Sequence, residues 1–499
     1  MPAHAAIFDL DRTLIAGSSS TVVQRHLVEA GIAGSREIPF ADALMKLYEQ
    51  FGENWFMMQP AKLAARAGAG WKVDEVEKAC TAAAAELVIG LQPFAKGVID
   101  DHRAAGAKLV LATTSPEPFV RPLADALGFD DVVCTRWKSR NGHFTGEMDG
   151  PFVWGRAKAD AVIDWAKANG VHLEQSYGYS DSYFDAPLLD AVGNAVAVNP
   201  DAQLAATAVV KGWPIRHLDK SDGVVKVAGR EIQDWTRPLM RPELVAPNVR
   251  FTFSGIENIP KRGPALVVFN HRSYFDPTVM GLVVAKAGRS VRGLGKKEVF
   301  DVPVAGRILR ALGGVRVERA SGSNEPLEHA AKSLRGGEVV MMAPQGTIPR
   351  GPAFFDPELK GRWGAAKLAA MSGAPVIPIG IWGTEKVWPR SARLPSLSLT
   401  NRPEVSATVG PAVELGLTDP DEDTCRIMAA LVELLPDEAR QHRTPSQEEL
   451  ARTYPPGYTG DPNAEVDRRP GTDSCTGSAQ WLHENATSTS PTGCRSTKP

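Results

Sequence analysis

Residues Ala5 to Thr13 read AAIFDLDRT, an apolar run that breaks directly into Asp9, Leu10 and Asp11. The run AAIF has the character of a strand, and in open α/β sheets ligands sit beyond the carboxyl ends of the strands. If the strand continues outward, Asp9 and Asp11 point to the same side. Two carboxylates that close repel each other, and a divalent cation between them removes the repulsion; Mg²⁺ with its oxygen ligands fits. One carboxylate can then be a nucleophile and the other a proton donor, because environment separates their pKa values.

Outward from that stretch, the apolar runs AKLVLATTS, SYGYSDS and NAVAVNP alternate with helical stretches through residue 211, an α/β pattern. A long helical insert, about residues 18–91, separates the first two runs. Three further elements follow DLDRT in order. AKLVLA ends in Thr113-Thr114-Ser115, hydroxyls placed for a phosphoryl oxygen. Lys158 opens a helix in GRAKADAVIDWA, where an ammonium can neutralise developing charge. SYGYSDSYFD carries Asp181 and Asp185, a second pair on the metal side.

This set resembles the haloacid dehalogenase superfamily of aspartate-nucleophile phosphatases, and the helical insert looks like the cap of its phosphoserine-phosphatase-like members. The resemblance implies a Rossmann-like core over 1–211 with Asp9 as nucleophile and Asp11 as general acid, then base. It implies Mg²⁺ on Asp9, the Asp11 carbonyl and Asp181. Thr113 and Lys158 would hold the phosphoryl group, with Asp185 in support. Where phosphoserine phosphatases have a Glu to meet the substrate amine, this chain has Ser18, whose hydroxyl cannot supply that charge.

Residues 212–244 read as a charged, Pro-containing connector, and a second α/β pattern runs over 245–435. Its strand-like runs are PALVVFN, GEVVMMAPQ and APVIPIGIW. The first of them continues into Asn270-His271-Arg-Ser-Tyr-Phe-Asp276-Pro277. On a regular helix five residues at ~100° each would set His271 and Asp276 about 140° apart, so a pair requires a turn before the helix. Asp276 is equally placed to be an N-cap, with Pro277 in the first helical turn. Downstream come Gly314-Val-Arg-Val-Glu-Arg319, the turn Pro344-Gln345-Gly346-Thr347, and Ala374-Pro-Val-Ile-Pro378. Arginine and exposed turn N–H groups are standard means of gripping phosphate.

Together these blocks resemble the glycerolipid acyltransferases of the lysophosphatidate (PlsC) type. The resemblance implies His271 as the base for an acceptor hydroxyl, oriented by Asp276 with Asn270 in support. It implies a phosphate site of Arg319, Gln345, Gly346 and Thr347, and a donor site shaped by Ala374 to Pro378. The donor would be acyl-CoA or acyl carrier protein, and the product phosphatidate. The family commonly has PEGTR; here PQGTI loses a charge at Gln345 and an arginine at Ile348, for which Arg350 lies close enough to substitute. A non-catalytic, regulatory N-terminal domain and another acceptor, such as glycerol 3-phosphate, are the alternatives.

The totals agree with a soluble enzyme of at least two domains: 499 residues, 43% apolar, 23% charged. A net charge of -2 points to no nucleic-acid partner. Five widely spaced cysteines form no C-x-x-C pair, which reads as a reducing, cytoplasmic setting with neither zinc site nor disulfide framework. No signal peptide and no spanning apolar stretch is visible, so membrane contact is expected to be peripheral. From Lys286 to Arg319 nine Lys/Arg face three Asp/Glu, and Lys296-Lys297 with Val299 and Phe300 is the expected contact with an anionic membrane. From 436 to 499 the chain is polar and rich in Pro, Ser, Thr and Gly, and is expected to be largely disordered.

Overall fold

The computed structural model describes residues 3–34, 65–221, 223–227, 229–296, 300–301, 306–307, 310, 312–317 and 325–460. The chain divides into two compact units, Met1–Asp222 and Gly223–Pro499.

In the first unit β1 (Ala5–Phe8) leads to helices α1 (Ser19–Glu29), α2 (Val73–Ile89) and α3 (Ala95–Ala104). Then come β2 (Lys108–Pro116), α4 (Glu117–Leu127), β3 (Asp131–Thr135) and the hairpin β4 (Trp137–Arg140)–β5 (His143–Met148). The unit continues with α5 (Arg156–Ala168), β6 (Tyr177–Ser180), α6 (Ala186–Ala191), β7 (Asn194–Val198), α7 (Ala202–Lys211) and β8 (Ile215–Arg216). Among the described residues the main sheet has the order β3-β2-β1-β6-β7-β8, and its pairings are parallel. The four β1 residues are wholly buried because the sheet is covered on both faces. Ala6 and Phe8 pack into one core with Val76, Val98 and Leu123, while Ala5 and Ile7 pack into another with Val162 and Leu188. That alternation is the strand's two-residue period. Gly128, at φ 69°, closes α4 in the left-handed conformation that a Cβ disfavours.

The second unit opens with the hairpin β9 (Lys226–Val227)–β10 (Arg230–Glu231), α8 (Ile232–Thr236) and α9 (Pro242–Val245). It goes on through β11 (Arg250–Ser254), β12 (Ala265–Phe269), α10 (Asp276–Lys286), β13 (Val291–Lys296), β14 (Val315–Val317) and α11 (Glu325–Arg335). β15 (Val339–Met342), α12 (Gly364–Ser372), β16 (Val376–Trp382), α13 (Thr384–Val387), β17 (Glu404–Val409), α14 (Pro420–Glu433) and α15 (Gln447–Ala451) complete it. The sheet order is β11-β17-β16-β12-β15-β13-β14, with β16 and β17 antiparallel and the other neighbours parallel. Ala265, Val267 and Phe269 of β12 face one core, Leu266 and Val268 the other.

Two stretches that look unstructured in sequence are built into these units. Within 212–244, β8 joins the first sheet, while Gln233 bonds the Val291 carbonyl at 2.9 Å and the Leu312 carbonyl at 3.0 Å. Arg292, 1% exposed, bridges Glu231 and Glu338 at 2.7 Å each. Polar residues anchor this segment, which is why apolar periodicity did not reveal it. Likewise, of the polar 436–499 stretch, residues 436–460 are ordered. Ser446 and Glu449 form a capping box on α15, and buried Thr453 accepts a bond from the Gly351 N–H at 2.8 Å. Residues 461–499 lie outside the described residues.

Replacing Arg292 by Met strands two buried carboxylates. The second unit is expected to lose about 3–5 kcal/mol of unfolding free energy, measured by urea titration.

Candidate active sites

The first site lies where β1, β2 and β6 end side by side. Lys158, on the first turn of α5, is fully buried, and its Nζ donates to Asp9 Oδ1 at 2.9 Å and Asp185 Oδ2 at 2.8 Å. Asp185 Oδ2 also accepts from Ser180 Oγ at 2.7 Å. An ammonium taken out of water costs several kcal/mol, and the two carboxylates offset that cost while holding Asp9 in place. Thr113 is buried within β2, beyond the part that pairs with β1, and its Oγ1 accepts the Ser115 N–H at 3.3 Å. Asp181 accepts from Thr13 Oγ1 at 3.2 Å and pairs with Arg12 Nε at 3.3 Å. Asp11 Oδ1 accepts the Ser19 N–H at the start of α1 at 2.5 Å. Burial pushes the Asp11 carboxyl above its ordinary range, against the lowering effect of the Ser19 bonds and of Lys158.

The donors here fit a hard divalent cation. Asp9 and Asp181 leave adjacent parallel strands, and with its carboxylate on Ser19, Asp11 has its main-chain carbonyl left to offer. Among the described residues no group of three or more His, Cys, Asp or Glu side chains is placed to hold a metal ion. Arg12, left-handed at φ 62°, pairs with the Asp181 carboxylate, one of the groups that would hold the cation.

The second site is at the end of β12. The chain turns through Asn270–Phe275 before α10 begins, and Asp276 folds back as the pairing required. Its Oδ2 accepts from His271 Nδ1 at 2.6 Å, the Arg272 N–H at 2.7 Å and the Ser273 N–H at 2.9 Å. Asp276 is fully buried, and its bonds run to the preceding turn rather than to the first helical N–H groups, so it is not a simple N-cap. Since a carboxylate accepts, Nδ1 carries the proton and Nε2 keeps a lone pair, with no partner among the described residues. The imidazole is 22% exposed. Asn270 is clipped to β16, giving to the Ile381 carbonyl at 2.9 Å and accepting the Ile381 N–H at 2.7 Å. Gln345 Oε1 accepts the His271 N–H at 2.6 Å, which brings the PQGT turn to the histidine.

The remaining expectations divide. Gly346, at φ 70°, turns the chain beside Arg362: a Cβ there would stand 3.3 Å from the Arg362 Cδ. Thr347 follows it, and its Oγ1 gives to the Ile348 carbonyl at 3.4 Å. Arg350, the expected substitute at this turn, instead lies over the Tyr458 ring at 5.2 Å. Ala374 to Pro378 lead into β16 at the end opposite Ile381, buried except for Pro375, because β12 and β16 run parallel and His271 follows the other end. Phe300, expected at a membrane, is 2% exposed: it covers Gly295, whose Cβ would meet its ring at 2.9 Å. Arg319, Lys297 and Val299 lie outside the described residues, as does the Lys296 side chain.

Against known proteins, the haloacid dehalogenase-like hydrolase family matches residues 6–190 and the acyltransferase family residues 250–382. The inhibition of morphological differentiation protein of Streptomyces azureus is 34% identical over 43% of this chain and 78% of its own length. A protein named phosphoserine phosphatase from Mycobacterium tuberculosis is 34% identical over 42% of this chain and 70% of its own length. The crystal structure of the 1-acyl-sn-glycerophosphate acyltransferase PlsC from Thermotoga maritima aligns at 22% identity and a TM-score of 0.32, covering 40% of this chain and 77% of that one. The chain belongs to the haloacid dehalogenase-like hydrolases and carries an acyltransferase domain as well. No helix among the described residues is long and apolar enough to cross a membrane.

The acyltransferase unit holds functional candidates that the sequence did not single out. Arg272 is sandwiched between Trp382 and Phe354, at 4.0 and 4.3 Å from the ring centroids, and forks onto Glu385 at 3.1 and 3.2 Å. Burial works to raise the Glu385 carboxyl, but the Arg272 charge and bonds carry it below the usual range. The Arg272 N–H meanwhile holds Asp276, so this anchor sets the turn on which the His271 pair depends. The only signal was an arginine beside the histidine, which a solvated face explains equally well. Arg362 at the PQGT turn was hidden in the same way.

Arg272→Ala is expected to lower acyl transfer about 10- to 100-fold, with Arg272→Lys in between, measured as kcat on an acceptor that supports turnover. In the hydrolase unit Asp11→Asn removes a carboxylate whose folded pKa is raised. Wild type is therefore penalised as pH rises through that folded pKa, and the penalty is absent below the unfolded value of 3.8. The variant should melt higher than wild type at neutral pH and equally at pH below that value, by calorimetry.

Proposed function

We propose that the chain is a bifunctional enzyme of phospholipid synthesis. The acyltransferase unit moves an acyl group from acyl-CoA, or acyl carrier protein, to the sn-2 hydroxyl of 1-acylglycerol 3-phosphate, giving phosphatidate. The hydrolase unit cleaves a phosphomonoester through an aspartyl-phosphate. One observation carries the acyl-transfer reading: the 2.6 Å contact between His271 Nδ1 and buried Asp276, with Nε2 left to act.

Nε2 takes the proton of the acceptor hydroxyl as its oxygen attacks the thioester carbonyl. The Asp276 carboxylate stabilises the imidazolium that forms. The C–S bond then breaks, and the departing thiolate takes the proton from Nε2. The backbone of Gly346 and Thr347, Gln345 and the nearby Arg362 are the groups that receive the acceptor phosphate, together with Arg319.

In the hydrolase unit the Asp9 carboxylate attacks phosphorus, and Asp11 protonates the leaving oxygen as the P–O bond breaks. Asp11 then takes a proton from the water that splits the aspartyl-phosphate and frees phosphate. The burial that raises the Asp11 pKa favours a carboxyl that starts protonated. Lys158 and Thr113 hold phosphoryl oxygens, and Asp185 supports the lysine. A divalent cation on Asp9, the Asp11 carbonyl and Asp181 supplies positive charge against the phosphoryl group when bound. Ser18, buried at the entry to α1, offers no charge to an amine. We therefore assign the unit a phosphorylated lipid or its precursor rather than phosphoserine.

The test incubates labelled acyl-CoA and 1-acylglycerol 3-phosphate with Mg²⁺ and follows acyl transfer and phosphate release together. His271→Ala should lose about 10²–10⁴-fold of the transfer and keep phosphate release. Asp9→Asn should do the reverse. Wild type that acylates only glycerol 3-phosphate sinks the acceptor assignment. Wild type that releases no phosphate from phosphatidate or lysophosphatidate sinks the lipid assignment of the hydrolase.

A further inference from the structure

Between α13 and β17 the chain runs Arg390-Ser-Ala-Arg-Leu-Pro-Ser-Leu-Ser-Leu-Thr-Asn-Arg402. Leu394, Leu397 and Leu399 are 76%, 78% and 66% exposed. Single exposed leucines are ordinary, but three within six residues on an irregular loop are not explained by packing. The loop holds three arginines and no acid. Its middle is pinned rather than loose: the Ser396 N–H gives to the Val387 carbonyl at 2.8 Å, and buried Asn248 gives to the Ser396 carbonyl at 2.6 Å. The leucines are thus held out in water by a fixed backbone.

This loop is continuous with the candidate acyltransferase site. Ser273, in the turn between His271 and Asp276, gives its hydroxyl to the Trp388 carbonyl at 2.6 Å, and Trp388 gives its indole N–H to the Ala392 carbonyl at 3.1 Å. Tyr274, 44% exposed, meets the Trp388 ring edge-on at 5.7 Å. On the other side, Asn248 ties the loop to the segment that bears Leu244 and Val245, exposed at 61% and 37%.

We propose that this loop docks the acyltransferase unit on an anionic lipid bilayer, with the leucines entering the acyl boundary and Arg393 and Arg402 meeting headgroup phosphates. Apolar residues flanked by cations and free of acids are the composition that an anionic interface selects. A second copy of the chain is a poorer occupant, because a two-fold contact would set this acid-free, arginine-bearing loop against itself. The proposal rests on the acyltransferase unit taking a lipid acceptor. It explains how that acceptor reaches His271: the turn that carries the histidine is bonded to the element that lies in the membrane surface.

The test is flotation of the full chain with phosphatidylcholine vesicles, with and without phosphatidylglycerol. Wild type should float with the anionic vesicles, and Leu394→Ser/Leu397→Ser/Leu399→Ser should lower its partitioning at least about tenfold. Arg393→Gln/Arg402→Gln should lower it too, and most at low salt. Circular dichroism and urea melting confirm that the variants fold. Binding is read without turnover, so an unidentified acceptor does not affect it. Where transfer is measurable, the leucine variant should fall on vesicle-borne lysophosphatidate and hold on a short-chain, water-soluble one. Wild type that stays off anionic vesicles overturns the proposal, as does a leucine variant that floats equally well. A leucine variant whose only change is a smaller mass by light scattering overturns it in favour of a contact between copies.

Discussion

A charge taken out of water at the end of a strand must be paired at once, and both units are arranged around that constraint. The hydrolase unit buries an ammonium, Lys158, and closes two carboxylates on it. The acyltransferase unit buries a carboxylate, Asp276, and brings three donors to one of its oxygens. In each case the pairing fixes the group to which the proposed chemistry falls. Asp9 cannot swing while Lys158 grips it, and the His271 ring cannot turn over while Nδ1 stays on Asp276.

The scaffold makes such pairing possible through parallel strands. β1 has β2 on one side and β6 on the other, so residues far apart in sequence leave the sheet side by side. β12 lies between β15 and β16, which brings Gln345 and Ile381 to the two flanks of the histidine turn. Hydrogen bonds from both flanks make the turn rigid without a regular element of its own. Arg272 adds a third restraint by stacking and pairing beyond the strand ends, where no sheet bond is available.

Continuous apolar runs made the central strands legible: AAIF, KLVLA, ALVVF and VIPIGIW are all buried strands. The acids and the histidine that end those runs were legible for the same reason. What escaped was whatever polar bonds hold in place. Residues 226–239 depend on Gln233 and a buried Glu–Arg–Glu bridge, and residues 436–460 on a capping box and Thr453. Arg362 and Arg272 were equally hidden, because a charge in a sequence does not say whether it will be solvated or stacked. Phe300, expected at a membrane, instead fills the space over a glycine, while the leucines of the 390–402 loop, spaced like any loop residues, are left bare.

Gln345 shows how one uncharged position fits this scheme. Its amide oxygen accepts the His271 N–H, a bond that a carboxylate of the same length would also make. A glutamate here would set a second negative charge, 7% exposed, close to an Asp276 that already lacks water. Like charges that near in a dry site each raise the cost of the other. The amide keeps the turn bonded to the histidine and leaves Asp276 as the one charged group bonded to the imidazole among the described residues. On the proposed reading it would also remove a negative charge from the approach of an anionic acceptor to the Gly346 turn and Arg362, so the loss of the familiar glutamate would weaken repulsion while the bond to His271 is kept.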